Sequence, residues 1–132
     1  MNGTINNYLL DTNIFIYYFN GESLVQPIFN EIITGNAIGF YCPITWSELL
    51  CYPNLSAEEA NQIRAFLRSM NVVQLTETVL NCTAEIRRDY RLKIPDALIA
   101  ACALKSSSIL VTRNIQDFQR VVGLSLLNPF NP

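Results

Sequence analysis

The stretch NNYLLDTNIF, Asn6 to Phe15, sets an acid between two apolar runs. Tyr8, Leu9 and Leu10 lead up to Asp11 without polar alternation, as in a strand buried on both faces. After Thr12 and Asn13, apolar and aromatic residues resume as a short helix. A carboxylate between a buried strand and a helix is costly unless a cap, a cation or a metal offsets it. The rest of the chain has to supply that partner.

Outward from this stretch, short strands alternate with helices. Residues 5–10 are expected as a strand and 13–19 as a helix ending near Asn20 and Gly21. Residues 23–34 follow as a helix, with Leu24, Ile28, Phe29 and Ile32 at helical spacing and Gly35 at the stop. A strand over 37–41 leads into a helix over 45–51, bounded by Pro43 and Pro53. Ser56 and Glu59 make a capping box for a helix over 57–69. A strand over 71–75 precedes a helix over 77–90, capped by Thr76, with Val79, Leu80, Ala84 and Ile86 inward. Asp96 opens a strongly apolar helix after a connecting loop over 91–95. A strand over 109–112, a helical turn around 115–121 and a last strand over 124–127 complete the chain. Such alternation predicts an α/β fold with a parallel sheet covered on both faces. With no repeat or linker, residues 1–132 read as a single domain.

Half of the residues are hydrophobic and 15% are charged, which excludes a disordered chain. No apolar run is long enough to span a membrane, and the N-terminus lacks the pattern of a signal peptide, so cytoplasmic localisation is expected. The chain has no histidine, which removes histidine catalysis and the Ser-His-Asp triad. Cys42, Cys51, Cys82 and Cys102 form no Cys-x-x-Cys pair and are expected as buried neutral thiols. The net charge of −2 divides unevenly: residues 1–60 hold six acids and no base, whereas 61–132 hold all nine bases and five acids. A chain divided in this way can present one positive face despite its negative total.

In an open parallel sheet, ligands bind beyond the carboxyl ends of the strands. Asp11 is placed there, as are Asn114 and Asp117 after the strand 109–112, Glu48 after the second strand, and Asp96 at a helix start. Taken singly, each acid has an ordinary role: Asp11 and Asp96 as helix caps, Glu48 as a first-turn acid, Asp117 as a surface residue. Together they crowd. Two carboxylates about 5 Å apart repel by roughly 3 kcal/mol at an effective dielectric of about 20. Such a group takes up protons or a cation. Oxygen donors without His or Cys favour Mg2+ or Mn2+, and metal-assisted phosphodiester hydrolysis follows as the candidate chemistry.

Four stretches carry a family resemblance. LLDTNIFI resembles the opening motif of PIN domains, of the VapC-type group in bacterial toxin–antitoxin pairs. ITWSELL is similar to the second motif, with Glu48 at its acidic position, and IPDALIAACAL to the third, with Asp96. ILVTRNIQDF resembles the fourth, and the likeness spans residues 8–127. It implies a three-layer α/β/α sandwich with a mostly parallel sheet of four or five strands. It also implies an Mg2+- or Mn2+-dependent endoribonuclease, a homodimer and a neutralising antitoxin. Asp11, Glu48 and Asp96 carry over as metal-site acids. Many members have an Asp where this chain has Asn114; Asp117 matches an acid of other members, and Asn114 can offer a neutral oxygen.

On this reading Asp11 and Asp96 hold the main ion, with Glu48 and Asp117 acting through water or a second site. Arg87, Arg88, Arg91, Lys93 and Arg113 are the candidates for phosphate contacts, Arg113 nearest the acids. Tyr17, Tyr18 and Trp46 are aromatic residues that could stack on bases but that a core would also use. Thr12 and Thr112 are expected in structural hydrogen bonds. Two rivals stand beside the ribonuclease. One is a phosphatase of the haloacid dehalogenase type, whose Asp-x-Asp pattern is broken here by Asn13. The other is a PIN-like RNA- or protein-binding domain with an incomplete site, which Asn114 favours.

Overall fold

Five parallel strands form one sheet in the order β3-β2-β1-β4-β5. They are β1 (Asn6–Leu10), β2 (Ala37–Tyr41), β3 (Asn71–Val72), β4 (Ile109–Val111) and β5 (Leu126–Leu127). This computed structural model describes residues 5–132, so residues 1–4 of the expected single domain lie outside the described residues. The chain begins at the centre of the sheet, builds one side through β2 and β3, then returns to build the other through β4 and β5. The reversal opens a switch point beyond the ends of β1 and β4, whose residues pair Tyr8 with Ile109 and Leu10 with Val111.

Alternate residues of β1 feed two cores. Tyr8 and Leu10 face one core with Phe15, Phe29, Leu49 and Leu67. Its helices are α1 (Thr12–Phe19), α2 (Gln26–Ile33), α3 (Pro43–Leu50) and α4 (Ala57–Arg68). Leu9 faces the other core with Val79, Ile86 and Phe118 and the buried run of α6. That layer consists of α5 (Glu77–Tyr90), α6 (Ile94–Lys105) and the short α7 (Ile115–Phe118). The result is the three-layer α/β/α sandwich, with a sheet that is parallel throughout. An aromatic group fills the first core, where Tyr18 stacks on Phe29 at 3.9 Å and Phe15 meets Phe66 edge-on at 6.2 Å. Gly39 lets that layer approach β2, since a Cβ there would lie 2.7 Å from Met70 Cε and 2.9 Å from Ile32 Cγ2. Among the described residues no helix is long and apolar enough to cross a membrane.

Several local expectations are corrected. α2 starts at Gln26 with Pro27 in its first turn, and Leu24 in the preceding turn is exposed. β3 has only two residues, because the ladder pairs just Asn71 and Val72 with β2. The buried stripe of α5 is Val79, Thr83 and Ile86; Leu80 and Ala84 face outward. Thr83 enters the core because its hydroxyl donates to Val79 O at 2.9 Å within the helix. Of the cysteines, Cys42 and Cys102 are buried, Cys82 is half-buried, Cys51 is exposed, and all are free thiols. Cys51 ends α3, where its thiol turns back to Glu48 O.

Candidate functional site

The site lies at the switch point and begins with Asp11, which caps α1 as its first residue outside the helix. Its backbone N–H donates to Val111 O at 3.0 Å, which ties the end of β1 to β4. Asp11 Oδ1 accepts from the Thr12 backbone N–H at 2.9 Å, and Oδ2 accepts from the Thr112 hydroxyl at 2.8 Å. The capping role is therefore real, but it uses one oxygen; the other reaches across to β4. Burial raises the Asp11 pKa, the bonds from Thr112 and Thr12 oppose the rise, and the charges of Asp96 and Glu48 add to it.

Glu48 is not a first-turn acid. α3 begins at Pro43, which puts Glu48 in its C-terminal half, where the helix dipole disfavours an acid. The Thr12 hydroxyl holds it, donating to Glu48 Oε1 at 2.6 Å. Thr12 Oγ1 also lies 2.8 Å from Thr45 Oγ1. Thr12 spends its one proton on Glu48, so Thr45 is the donor in that pair.

Asp96 lies in the first turn of α6, which starts at Ile94 and not at Asp96. Lys93 is the cap residue, no side chain caps this helix, and Asp96 is left free to face the other acids. Burial raises its pKa first, then the charges of Asp117 and Glu48, while Lys93 pulls it back. Asn114 and Asp117 are joined: Asn114 Nδ2 donates to Asp117 Oδ2 at 3.0 Å. The Asn114 backbone N–H donates to Thr112 Oγ1 at 3.0 Å. Thr12 and Thr112, expected in structural hydrogen bonds, each hold an acid of the site.

The basic residues separate into different places. Arg91, Lys93 and Arg120 share a cavity of 230 Å³ with Leu92, Asp96 and Asp117. Arg91 ends α5 in the left-handed conformation at φ 59°, a turn usually left to glycine. Arg87 is spent on that turn, donating to Arg91 O and to Leu92 O at 3.0 Å. Arg88 pairs with Asp89 at 3.8 Å on the exposed face of α5. Neither Arg87 nor Arg88 lines the acidic cavity. Arg113 turns to Tyr17, whose hydroxyl accepts from its Nη1 at 3.2 Å. Tyr18 belongs to the aromatic core, and Trp46 packs under Arg68 at 5.6 Å. Arg120 is the residue that sequence reasoning missed; the available signal was its position three residues after Asp117.

The chemistry is legible in the donor set. Asp11, Glu48, Asp96 and Asp117 come together from four segments, burial and the neighbouring charges raise the pKa of Asp11 and of Asp96, and the side-chain donors at the centre are oxygen or amide. Such a group suits a hard divalent cation. In the cavity that Asp96 and Asp117 share with Arg91, Lys93 and Arg120, cationic donors for an anion stand next to the acids. A larger apolar groove of 520 Å³ between α1, α3 and α4 lacks this chemistry. Its one acid, Glu59, is committed to the α4 capping box, accepting from Ser56 N at 3.0 Å.

Comparison with known proteins agrees with this fold. Ribonuclease VapC2 of Rickettsia felis is 29% identical over 131 residues, covering 92% of this chain and 96% of that protein. A toxin–antitoxin complex from Klebsiella pneumoniae contains a chain of similar structure, with TM-score 0.77 and 27% identity over 92% of this chain and 97% of that one. The VapBC-1 structure from nontypeable Haemophilus influenzae matches with TM-score 0.75 and 25% identity over 95% of this chain and 99% of that one. The PIN domain family model matches residues 8–124, and the chain belongs to the PIN domain family.

Proposed function

We propose that this protein is a VapC-type endoribonuclease, the toxin of a toxin–antitoxin pair, hydrolysing RNA phosphodiester bonds with Mg2+ or Mn2+. The observation that carries the reading is the meeting of Asp11, Glu48, Asp96 and Asp117 at the switch point of the sheet. The similarity to Ribonuclease VapC2 and to a toxin–antitoxin complex supports it. Asp11 and Asp96 would hold the ion, with Glu48 and Asp117 completing its surroundings. When bound, such an ion supplies positive charge to the scissile phosphate and acidifies water.

The chain's own residues do the rest. Thr112 and Thr12 fix the two Asp11 oxygens, and Thr12 aims Glu48. Asn114 holds Asp117 in place, which gives the amide a positioning role. Arg91, Lys93 and Arg120 bind phosphate oxygens of the strand on the Asp96 side. The apolar groove lined by Ile16, Phe19, Leu49, Tyr52 and Phe66 suits a segment of the antitoxin. Val72, Leu75 and Leu80 leave apolar surface on the β3–α5 edge for a second copy of the chain.

The test is cleavage of a mixed RNA pool by purified protein with Mg2+ or Mn2+, with EDTA, and with Asp96→Asn. Cleavage is expected from the wild type alone, with a loss of at least about a hundredfold in the variant. Cleavage that persists in Asp96→Asn would move the chemistry to another site. An intact, folded protein that binds RNA without cleaving it would favour the binding-only alternative, to which Asn114 points.

A further inference from the structure

One flank of the acids is accounted for by the Arg91–Lys93–Arg120 cavity. The other flank holds a cluster with no such role. The guanidinium carbon of Arg113 lies 4.0 Å from the Phe130 ring centroid and 5.6 Å from that of Tyr17. The two rings are 4.8 Å apart and tilted by 60°. Tyr17 comes from α1, Arg113 from the turn after β4, and Phe130 from beyond β5. The last segment is fixed: Thr112 N donates to Leu127 O at 3.0 Å, and Phe130 N donates to Asn128 Oδ1 at 3.0 Å.

Arg113 stands between the two residues that organise the site, Thr112 and Asn114, yet its side chain goes to Tyr17 and Phe130. Among the described residues the one ion pair is Arg88–Asp89, so Arg113 keeps its charge without a carboxylate partner. One of its five N–H donors is used, on Tyr17, and the residue is exposed. Pinning the chain end to α1 would need only the Tyr17–Phe130 contact. A planar cation held over a ring, exposed and unneutralised, has the form that stacks bases and binds phosphates of single-stranded RNA.

We infer that Tyr17, Arg113 and Phe130 form a nucleotide subsite for single-stranded RNA, where a base stacks on the guanidinium–aromatic surface and its phosphate takes the free donors of Arg113. This rests on the ribonuclease reading and adds to it a place for one nucleotide beside the scissile bond.

The test is RNA binding by Asp96→Asn protein, followed by fluorescence anisotropy. The probe is a short single-stranded RNA whose sequence is taken from the sites that the wild type cleaves. Arg113→Gln and Phe130→Leu, each added to Asp96→Asn, are expected to weaken binding roughly tenfold. Phe130→Tyr, which keeps the ring, is expected to bind like the parent. A scan of abasic substitutions is expected to find one position where base loss costs the parent roughly tenfold and costs the Phe130→Leu protein little. Weaker binding with no such position would reduce Arg113 to a charge contact and overturn the subsite. Unchanged binding in Arg113→Gln, with an unchanged melting temperature, would overturn it too, leaving the ribonuclease reading intact and giving the cluster to a protein partner. A wild type that cleaves nothing in the mixed RNA pool, with a parent that does not bind that pool, would remove both.

Discussion

Asp96 is held at a cost in the folded protein. Burial and the charges of Asp117 and Glu48 raise its pKa, and Lys93 recovers only part of this. A carboxyl whose pKa is higher folded than unfolded binds more protons in the native state, so stability falls as pH rises between the two values. The loss begins near the ordinary Asp value of about 3.9 and persists at neutral pH. In EDTA, Asp96→Asn is therefore expected to melt higher than the wild type at pH about 7, with the difference closing towards pH about 4. Thermal melts across that range check it. Added Mg2+ should raise the melting temperature of the wild type and not of the variant, since only the native site binds the ion. Asp11 and Asp96 were readable from sequence because each interrupts a local apolar run. Glu48 was found in spite of a misplaced helix start. Arg120 had only its spacing from Asp117 to mark it, and Phe130 was not readable, because its place depends on segments that meet only in the folded chain.

Helices and strands show a similar division. Caps are local, so the Ser56–Glu59 box and the Thr76 cap appear as the residues demand. The phase of α5 is not local: Leu80 and Thr83 compete for the same face, and an internal hydroxyl bond lets the threonine win. The end of α5 ties this layer to the site. Arg91 occupies a left-handed position that costs a side-chain residue about 1–2 kcal/mol relative to glycine. It also lines the acidic cavity, which gives the strain a use. Arg91→Gly is expected to stabilise the protein by about 1 kcal/mol in urea denaturation while weakening RNA binding. A variant that gained stability and kept full RNA affinity would make Arg91 a structural accident.

Over the whole molecule, the uneven charge of the two halves becomes a spatial arrangement. The basic second half supplies Arg91, Lys93 and Arg120 on one flank of the acids and Arg113 on the other. RNA binding is expected to weaken linearly in log affinity against log salt, and Arg120→Ala should reduce that slope by about 0.7, the share of one phosphate contact. Titrations at several salt concentrations measure it directly. The sheet order has a consequence in time. Asp11 and Thr112, bonded at the centre of the site, are separated by 101 positions in the chain. During synthesis Asp11 leaves the ribosome 101 residues ahead of Thr112, with Asn114 and Asp117 behind it. A nascent chain has the first acid long before it has the strand that orients it. The proposed cleavage therefore has no organised site on a nascent chain until β4 has emerged and paired with β1.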